Sequence, residues 1–117
     1  MDVLICDDSM TIRKKLSKTI KSIEENVKIF EASNGQKGID MFKEKEMDLV
    51  FLDIIMPKKN GLEVIEEIKE YDSEAKIVVL SSVGTEKNLK LALKNGARDF
   101  IQKPWSEKNI KKILKGV

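Results

Sequence analysis

Five short apolar runs, separated by stretches of helical periodicity, constrain this chain more than any other feature. They are Val3-Leu4-Ile5-Cys6, Val27-Lys28-Ile29-Phe30, Leu49-Val50-Phe51-Leu52, Ile77-Val78-Val79-Leu80 and Asp99-Phe100-Ile101. Most are rich in β-branched or aromatic residues, and each is followed by polar or Gly-containing sequence. Three are nearly continuous in hydrophobicity, the pattern of parallel strands covered on both faces rather than of half-exposed antiparallel ones.

The intervening segments read as helices. Ile12, Leu16, Ile20 and Ile23 share one stripe, with Ser9 as N-cap. Ile39 and Phe42 anchor a second helix that starts near Asn34-Gly35, and Leu62, Val64, Ile65 and Ile68 a third after Asn60-Gly61. Leu89, Ala92 and Leu93 mark a fourth, stopped by Asn95-Gly96. Ile110, Ile113, Leu114 and Val117, at i, i+3, i+4 and i+7, mark a fifth. Strict βα alternation implies an α/β domain with a parallel sheet and right-handed crossovers. The expectation is one domain over residues 1–117, with no linker, repeat or second domain.

Composition removes several classes of function. The chain has no His and one Cys. Without His there is no Ser-His-Asp or Cys-His nucleophile pair, no His-bearing zinc site and no phosphohistidine on this chain. One Cys cannot form an internal disulfide. The N-terminus lacks a basic, apolar leader and no apolar stretch is long enough to cross a bilayer, so a cytoplasmic protein without membrane insertion is expected.

In parallel sheets of this type, chemistry gathers at the carboxyl ends of the strands. Asp7 and Asp8 follow the first run, Asp53 ends the third, Ser81-Ser82 the fourth, and Gln102-Lys103-Pro104 follow the fifth. Three carboxylates at one edge repel one another unless a cation sits among them. An all-oxygen donor set suits a hard divalent ion, Mg2+ or Mn2+, with a backbone carbonyl near Ile55 able to complete the coordination. Lys103 and Ser81 are suited to neutralise and hold phosphoryl oxygens, and Asp53 is suited to act as a nucleophile giving an aspartyl phosphate. Taken singly, an Asp-Asp pair, a Ser-Ser pair or a Lys-Pro step is an ordinary cap or loop; the signal is their joint occurrence at successive strand ends.

With Asp7-Asp8, Asp53 followed by Met56-Pro57 and Asn60-Gly61, Ser81, Gly96-Ala97 and Lys103-Pro104 in place, the whole chain resembles the receiver domains of response regulators, and among them the single-domain chemotaxis regulators. The resemblance implies a flavodoxin-like (βα)5 three-layer sandwich with a five-stranded parallel sheet of order 2-1-3-4-5. It implies that Asp53 accepts a phosphoryl group from a phosphohistidine on a sensor kinase. Asp8 would bind the metal directly, Asp7 directly or through water, and Ser81 and Lys103 would contact the phosphoryl oxygens. The Lys103-Pro104 bond would be cis. Ser81 and Phe100 would form the switch pair, with Phe100 lacking the phenol that a Tyr would offer a target. Trp105, the only Trp, would report on events next door.

Charge adds a direction. Residues 86–117 hold nine basic and three acidic residues, a balance of +6, while the rest of a chain with net charge +2 is acidic. This basic segment covers the expected helix 4, strand 5 and helix 5, and reads as a docking face for a downstream protein. The resulting expectation is a stand-alone, monomeric regulator that signals by phosphorylation-dependent protein binding, without direct nucleic-acid contact. A phosphorelay intermediate, passing the group to another protein's His, is the alternative. A Mg2+-dependent phosphatase would want a second carboxylate at the position of Ile55, and a flavin-binding module would want a Ser/Thr- and Gly-rich loop where Asp7-Asp8 stand.

In the family that the chain resembles, the positions two residues beyond the phosphorylated Asp and beyond the switch hydroxyl often influence the hydrolytic water; here they are Ile55 and Val83, which cannot orient it by hydrogen bonding. Slow self-dephosphorylation is therefore expected, leaving a role for a separate phosphatase. An Ile55→Asn variant should shorten the phosphoryl half-life, measured by loss of the adduct after donor removal; an unchanged half-life contradicts the reading.

Overall fold

The computed structural model describes residues 1–56, 59–82 and 86–117. Pro57 of the Met56-Pro57 motif and Val83 lie outside the described residues. Ten elements alternate: β1 (Asp2–Cys6), α1 (Met10–Ile23), β2 (Lys28–Ala32), α2 (Gly35–Glu44), β3 (Leu49–Asp53), α3 (Gly61–Tyr71), β4 (Ile77–Ser81), α4 (Glu86–Lys94), β5 (Asp99–Gln102) and α5 (Glu107–Lys115). The strands form one parallel sheet of order β2-β1-β3-β4-β5. This is the flavodoxin-like (βα)5 fold.

The strands read as unbroken apolar runs because both faces of the sheet are covered. Successive side chains point to opposite faces. Leu4, Cys6, Val50, Leu52, Ile77 and Val79 enter one core with Ile39 and Phe42 of α2, Val64, Ile65 and Ile68 of α3 and Ala92 of α4. Val3, Ile5, Leu49, Phe51, Val78 and Leu80 enter the other with Leu16 and Ile20 of α1 and Ile110 and Leu114 of α5. The two edge strands differ from the central ones. In β5 only Ile101 is buried, and Phe100 is 43% exposed.

The helix starts are fixed by local side-chain caps. Ser9 Oγ accepts from Ile12 N, Asn34 Oδ1 from Lys37 N, and Asn60 Oδ1 from Glu63 N. Gly96 closes α4 with φ of +118°, a conformation that favours glycine.

Two boundaries depart from the sequence expectation. β2 runs to Ala32 rather than ending at Phe30, because Ile5 and Cys6 of β1 continue the pairing onto Glu31 and Ala32. Glu31, a polar residue just past the apolar run, is thereby carried within the sheet edge. Val117 lies beyond the end of α5, where Gly116 is the C-cap, yet still packs on the core shared with α1.

Order β2-β1-β3 means that the chain leaves β1 for one side of the sheet and later returns on the other. The loops after β1 and β3 diverge there, which opens a crevice at the carboxyl edge. The β3–α3 connection is drawn tight beneath it: Gly61 N donates to Ile54 O at 2.6 Å. A Cβ on Gly61 would meet Ile54 Cα at 2.6 Å and Asp53 O at 2.7 Å. Both are backbone atoms behind the Asp53 side chain, and neither can yield cheaply. Gly61→Ala should therefore destabilise the fold by about 1–3 kcal/mol, read as a lower urea midpoint; an unchanged midpoint contradicts this packing.

Candidate functional site

Asp7 follows β1 and is fully buried. Every polar group it has is engaged. Its N–H donates to Ala32 O at 3.1 Å, its carbonyl accepts from Arg13 Nη1 at 2.7 Å, Oδ1 accepts from Ser9 N at 2.9 Å and Oδ2 accepts from Lys103 Nζ at 2.9 Å. Asp8, next along the same turn, is exposed. Asp53 closes β3, with its side chain 13% exposed, and meets Lys103 Nζ at 3.4 Å through Oδ2. Its Oδ1 accepts a long bond, 3.4 Å, from Ile55 N. Asp7, Asp8 and Asp53 each bring a carboxylate oxygen within 4.8 Å of the others.

Burial and then the Asp7 charge push the Asp53 carboxyl above its ordinary pKa, and the Lys103 ammonium and the Ile55 N–H only partly oppose them. Burial alone would depress Lys103. Its bond to Asp7 and the charges of Asp53 and Asp7 outweigh that and hold it above its usual value, so it stays cationic. Behind the site, Cys6 donates from Sγ to Asn34 O at 3.3 Å. Burial first, then the charges of Asp7 and Asp53, push its thiol up to about 12, so it offers no thiolate.

Among the described residues, the carboxylate trio meets one ammonium directly, that of Lys103, and the carboxylate cluster has oxygen donors only. That is the chemistry a hard divalent ion fits: it needs oxygen ligands and relieves their mutual repulsion. Mg2+ or Mn2+ meets the requirement without Cys or His.

Of the residues singled out from sequence, Asp7, Asp8, Asp53 and Lys103 come together, and Ile55 adjoins them through its backbone while its side chain is 58% exposed. The Lys103-Pro104 bond is cis. Ser81 is buried at the end of β4, and its hydroxyl donates to Ile101 O on β5 at 3.3 Å. Phe100 pairs with Val79 in register, is half-exposed, and lies apart from the carboxylates. Trp105 joins the α1–α5 core and donates from Nε1 to Thr19 at 3.3 Å. Arg13 and Glu31 were not legible as site neighbours. The available signal was the β1–β2 register, which sets Glu31 opposite Ile5, two residues before Asp7.

One parallel sheet gathers a carboxylate trio and a lysine at its carboxyl edge, and comparison with known proteins gives the class of α/β domain that carries this arrangement. The sequence profile of the response regulator receiver domain matches residues 3–115. The chain belongs to the response-regulator receiver family. It is 39% identical to the chemotaxis protein CheY of Halobacterium salinarum, over 98% of this chain and 94% of that protein. It superposes with a TM-score of 0.91 on a receiver domain protein from Clostridium thermocellum, at 26% identity, covering 98% of this chain and 91% of that one. A second solved relative, at 32% identity and a TM-score of 0.89, is the CheY of a CheX-CheY-BeF3-Mg2+ complex from Borrelia burgdorferi; the match covers 99% of this chain and 87% of that one.

Folding raises the pKa of Asp53, so folding favours its protonated form. That contribution is present at low pH and is lost as the pH rises through the raised value, above which the ionised group opposes folding. In EDTA at neutral pH, Asp53→Asn should therefore be more stable than wild type in urea, with the gap narrowing as the pH falls below the carboxylate range. An Asn variant less stable at neutral pH contradicts this electrostatic account.

Proposed function

We propose that residues 1–117 form one receiver domain of a response regulator that takes a phosphoryl group on Asp53 from a sensor histidine kinase and signals in chemotaxis by phosphorylation-dependent protein binding. The observation that carries the reading is the convergence of Asp7, Asp8 and Asp53 with Lys103. The CheY relatives support the chemotaxis role.

The residues divide the work. Asp7, Asp8, Asp53 and the Ile55 carbonyl would hold Mg2+ (or Mn2+), which would supply positive charge to offset the carboxylates and the charge on the equatorial phosphoryl oxygens. An Asp53 oxygen attacks phosphorus as the phosphorus–nitrogen bond to the donor imidazole breaks, and that nitrogen keeps the electron pair. Lys103, already cationic and tethered to Asp7, supplies a fixed positive charge to the phosphoryl oxygens. Ser81 reaches them by exchanging its bond to Ile101 O for one to the phosphoryl group. Phe100, on the same strand as Ile101, responds by moving inward toward the vacated space. The protein promotes its own phosphorylation and slow dephosphorylation and turns over no external substrate.

Output leaves through α4, β5 and α5. This face carries the basic segment together with exposed Leu91, Leu93 and Phe100, so it fits a downstream protein presenting acidic and apolar residues. A phosphatase fits the slow self-hydrolysis set by Ile55. One solved relative is a complex named for CheX, CheY, BeF3 and Mg2+, which supports a protein partner for this chain as well. The described residues include no helix long and apolar enough to cross a membrane.

Incubation with MgCl2 and a small-molecule acyl phosphate, read by intact mass spectrometry, should give one hydroxylamine-labile phosphoryl adduct that is absent in Asp53→Asn and in EDTA. No adduct, or an adduct that persists in Asp53→Asn, overturns the proposal.

A further inference from the structure

Arg13, on the first turns of α1, leaves 13% of its side chain exposed and bridges two elements. Nη1 donates to the carbonyl of Asp7, the oxygen of the Asp7–Asp8 peptide, at 2.7 Å. Nε donates to Glu31 Oε1 at 3.0 Å, and Lys14 Nζ takes the other oxygen of the same carboxylate at 2.8 Å. Glu31 stands one residue before Ala32, whose carbonyl accepts the N–H of Asp7. The peptide groups on both sides of Asp7 are therefore anchored to the end of β2, one through Ala32 directly and the other through Arg13 and Glu31.

We propose that Arg13 is a positioning residue for the divalent-cation site: by pinning the Asp7–Asp8 peptide to Glu31, it fixes the turn from which Asp7 and Asp8 meet Asp53. This rests on the reading of those three carboxylates as the cation site.

The physical need is clear from the charges. Three like charges relax apart wherever the backbone lets them. Asp7 is held by Ser9 and Lys103, and the Asp8 turn is held on one side by the Ser9 N–H on Asp7 Oδ1 and on the other by the guanidinium on the Asp7 carbonyl. Without the guanidinium, the Asp7–Asp8 peptide loses that second anchor, and Asp8, already exposed, gains freedom to turn toward solvent. A cation then has to reassemble its ligands at the expense of its own affinity. A planar fork suits the task because it serves a carboxylate and a carbonyl together, which a lysine ammonium on a flexible stem does less well. Glu31 has a second part. An unpaired guanidinium beside a dication would repel it, and burial alone would favour a neutral Glu31. Lys14 and Arg13 outweigh the burial and keep that carboxyl below its ordinary pKa, so it stays ionised to offset the charge.

A purely structural staple between α1 and β2 is the competing account, and Lys14 separates the two. It pairs with Glu31 as Arg13 does, is 66% exposed, and bonds to Glu31 from outside the turn. The test is calorimetric titration of the full chain with MgCl2, alongside urea unfolding in EDTA. Arg13→Met should weaken Mg2+ binding about 10–100-fold, Arg13→Lys should fall between it and wild type, and Lys14→Met should stay within about twofold of wild type. Arg13→Met binding Mg2+ at wild-type affinity, or Lys14→Met losing as much affinity as Arg13→Met, overturns the proposal. If Arg13→Met is unfolded in EDTA, Arg13→Lys decides, and wild-type affinity there overturns it. Wild type that binds no Mg2+ overturns the cation site itself and the positioning role with it.

Discussion

Two like charges 4 Å apart near a protein surface repel by about 4 kcal/mol, and this protein holds three carboxylates within 4.8 Å of one another at the edge of its sheet. Much of the surrounding structure is arranged around that repulsion. Lys103 arrives from the far end of the sequence to meet both Asp7 and Asp53. Ser9 does double duty, donating its backbone N–H to Asp7 and capping α1 with its hydroxyl. Among the described residues, one ammonium touches the three carboxylates, which leaves an excess of negative charge, and Asp53 has its pKa raised by burial and by Asp7. A site left short of positive charge is a site suited to a dication.

The fold supplies the rigidity this requires. β1 and β3 are adjacent, apolar on both faces and buried, so the strand ends that carry Asp7 and Asp53 stay side by side despite the charge. The same layout sets the acidic edge apart from the basic segment. The acidic edge lies where the chain switches sides of the sheet, while the basic α4–β5–α5 segment lies along the outer strand. The two meet at the bond from Ser81 to Ile101 O, a contact between the end of β4 and the strand that carries Phe100. A weak edge strand, with one buried residue out of four, is suited to respond to a change at that bond.

What could be read from sequence follows from where physics is local. β1, β3 and β4 were legible because burial on both faces leaves an unbroken apolar run. The starts of α1, α2 and α3 were legible because Ser9, Asn34 and Asn60 bond within their own first turns. Asp7, Asp8, Asp53 and Lys103 were legible because a parallel sheet brings its strand ends together. β2 was misplaced by two residues because its extension depends on β1, and Glu31 is polar where a strand reads as ended. Arg13 was hidden for the same reason: its partners are a backbone carbonyl and a glutamate on another element, and neither leaves a periodic trace. Val117 matched a helical spacing although the helix had stopped, since packing on the α1–α5 core does not require helical geometry.

The central claim is that Asp7, Asp8 and Asp53 form one divalent-cation site, and a crystal of the protein grown with MnCl2 tests it most directly through manganese anomalous scattering. The account predicts a single strong anomalous peak among those three carboxylates, lost in Asp53→Ala. A map with no peak there, or with manganese only at other surface carboxylates, contradicts it.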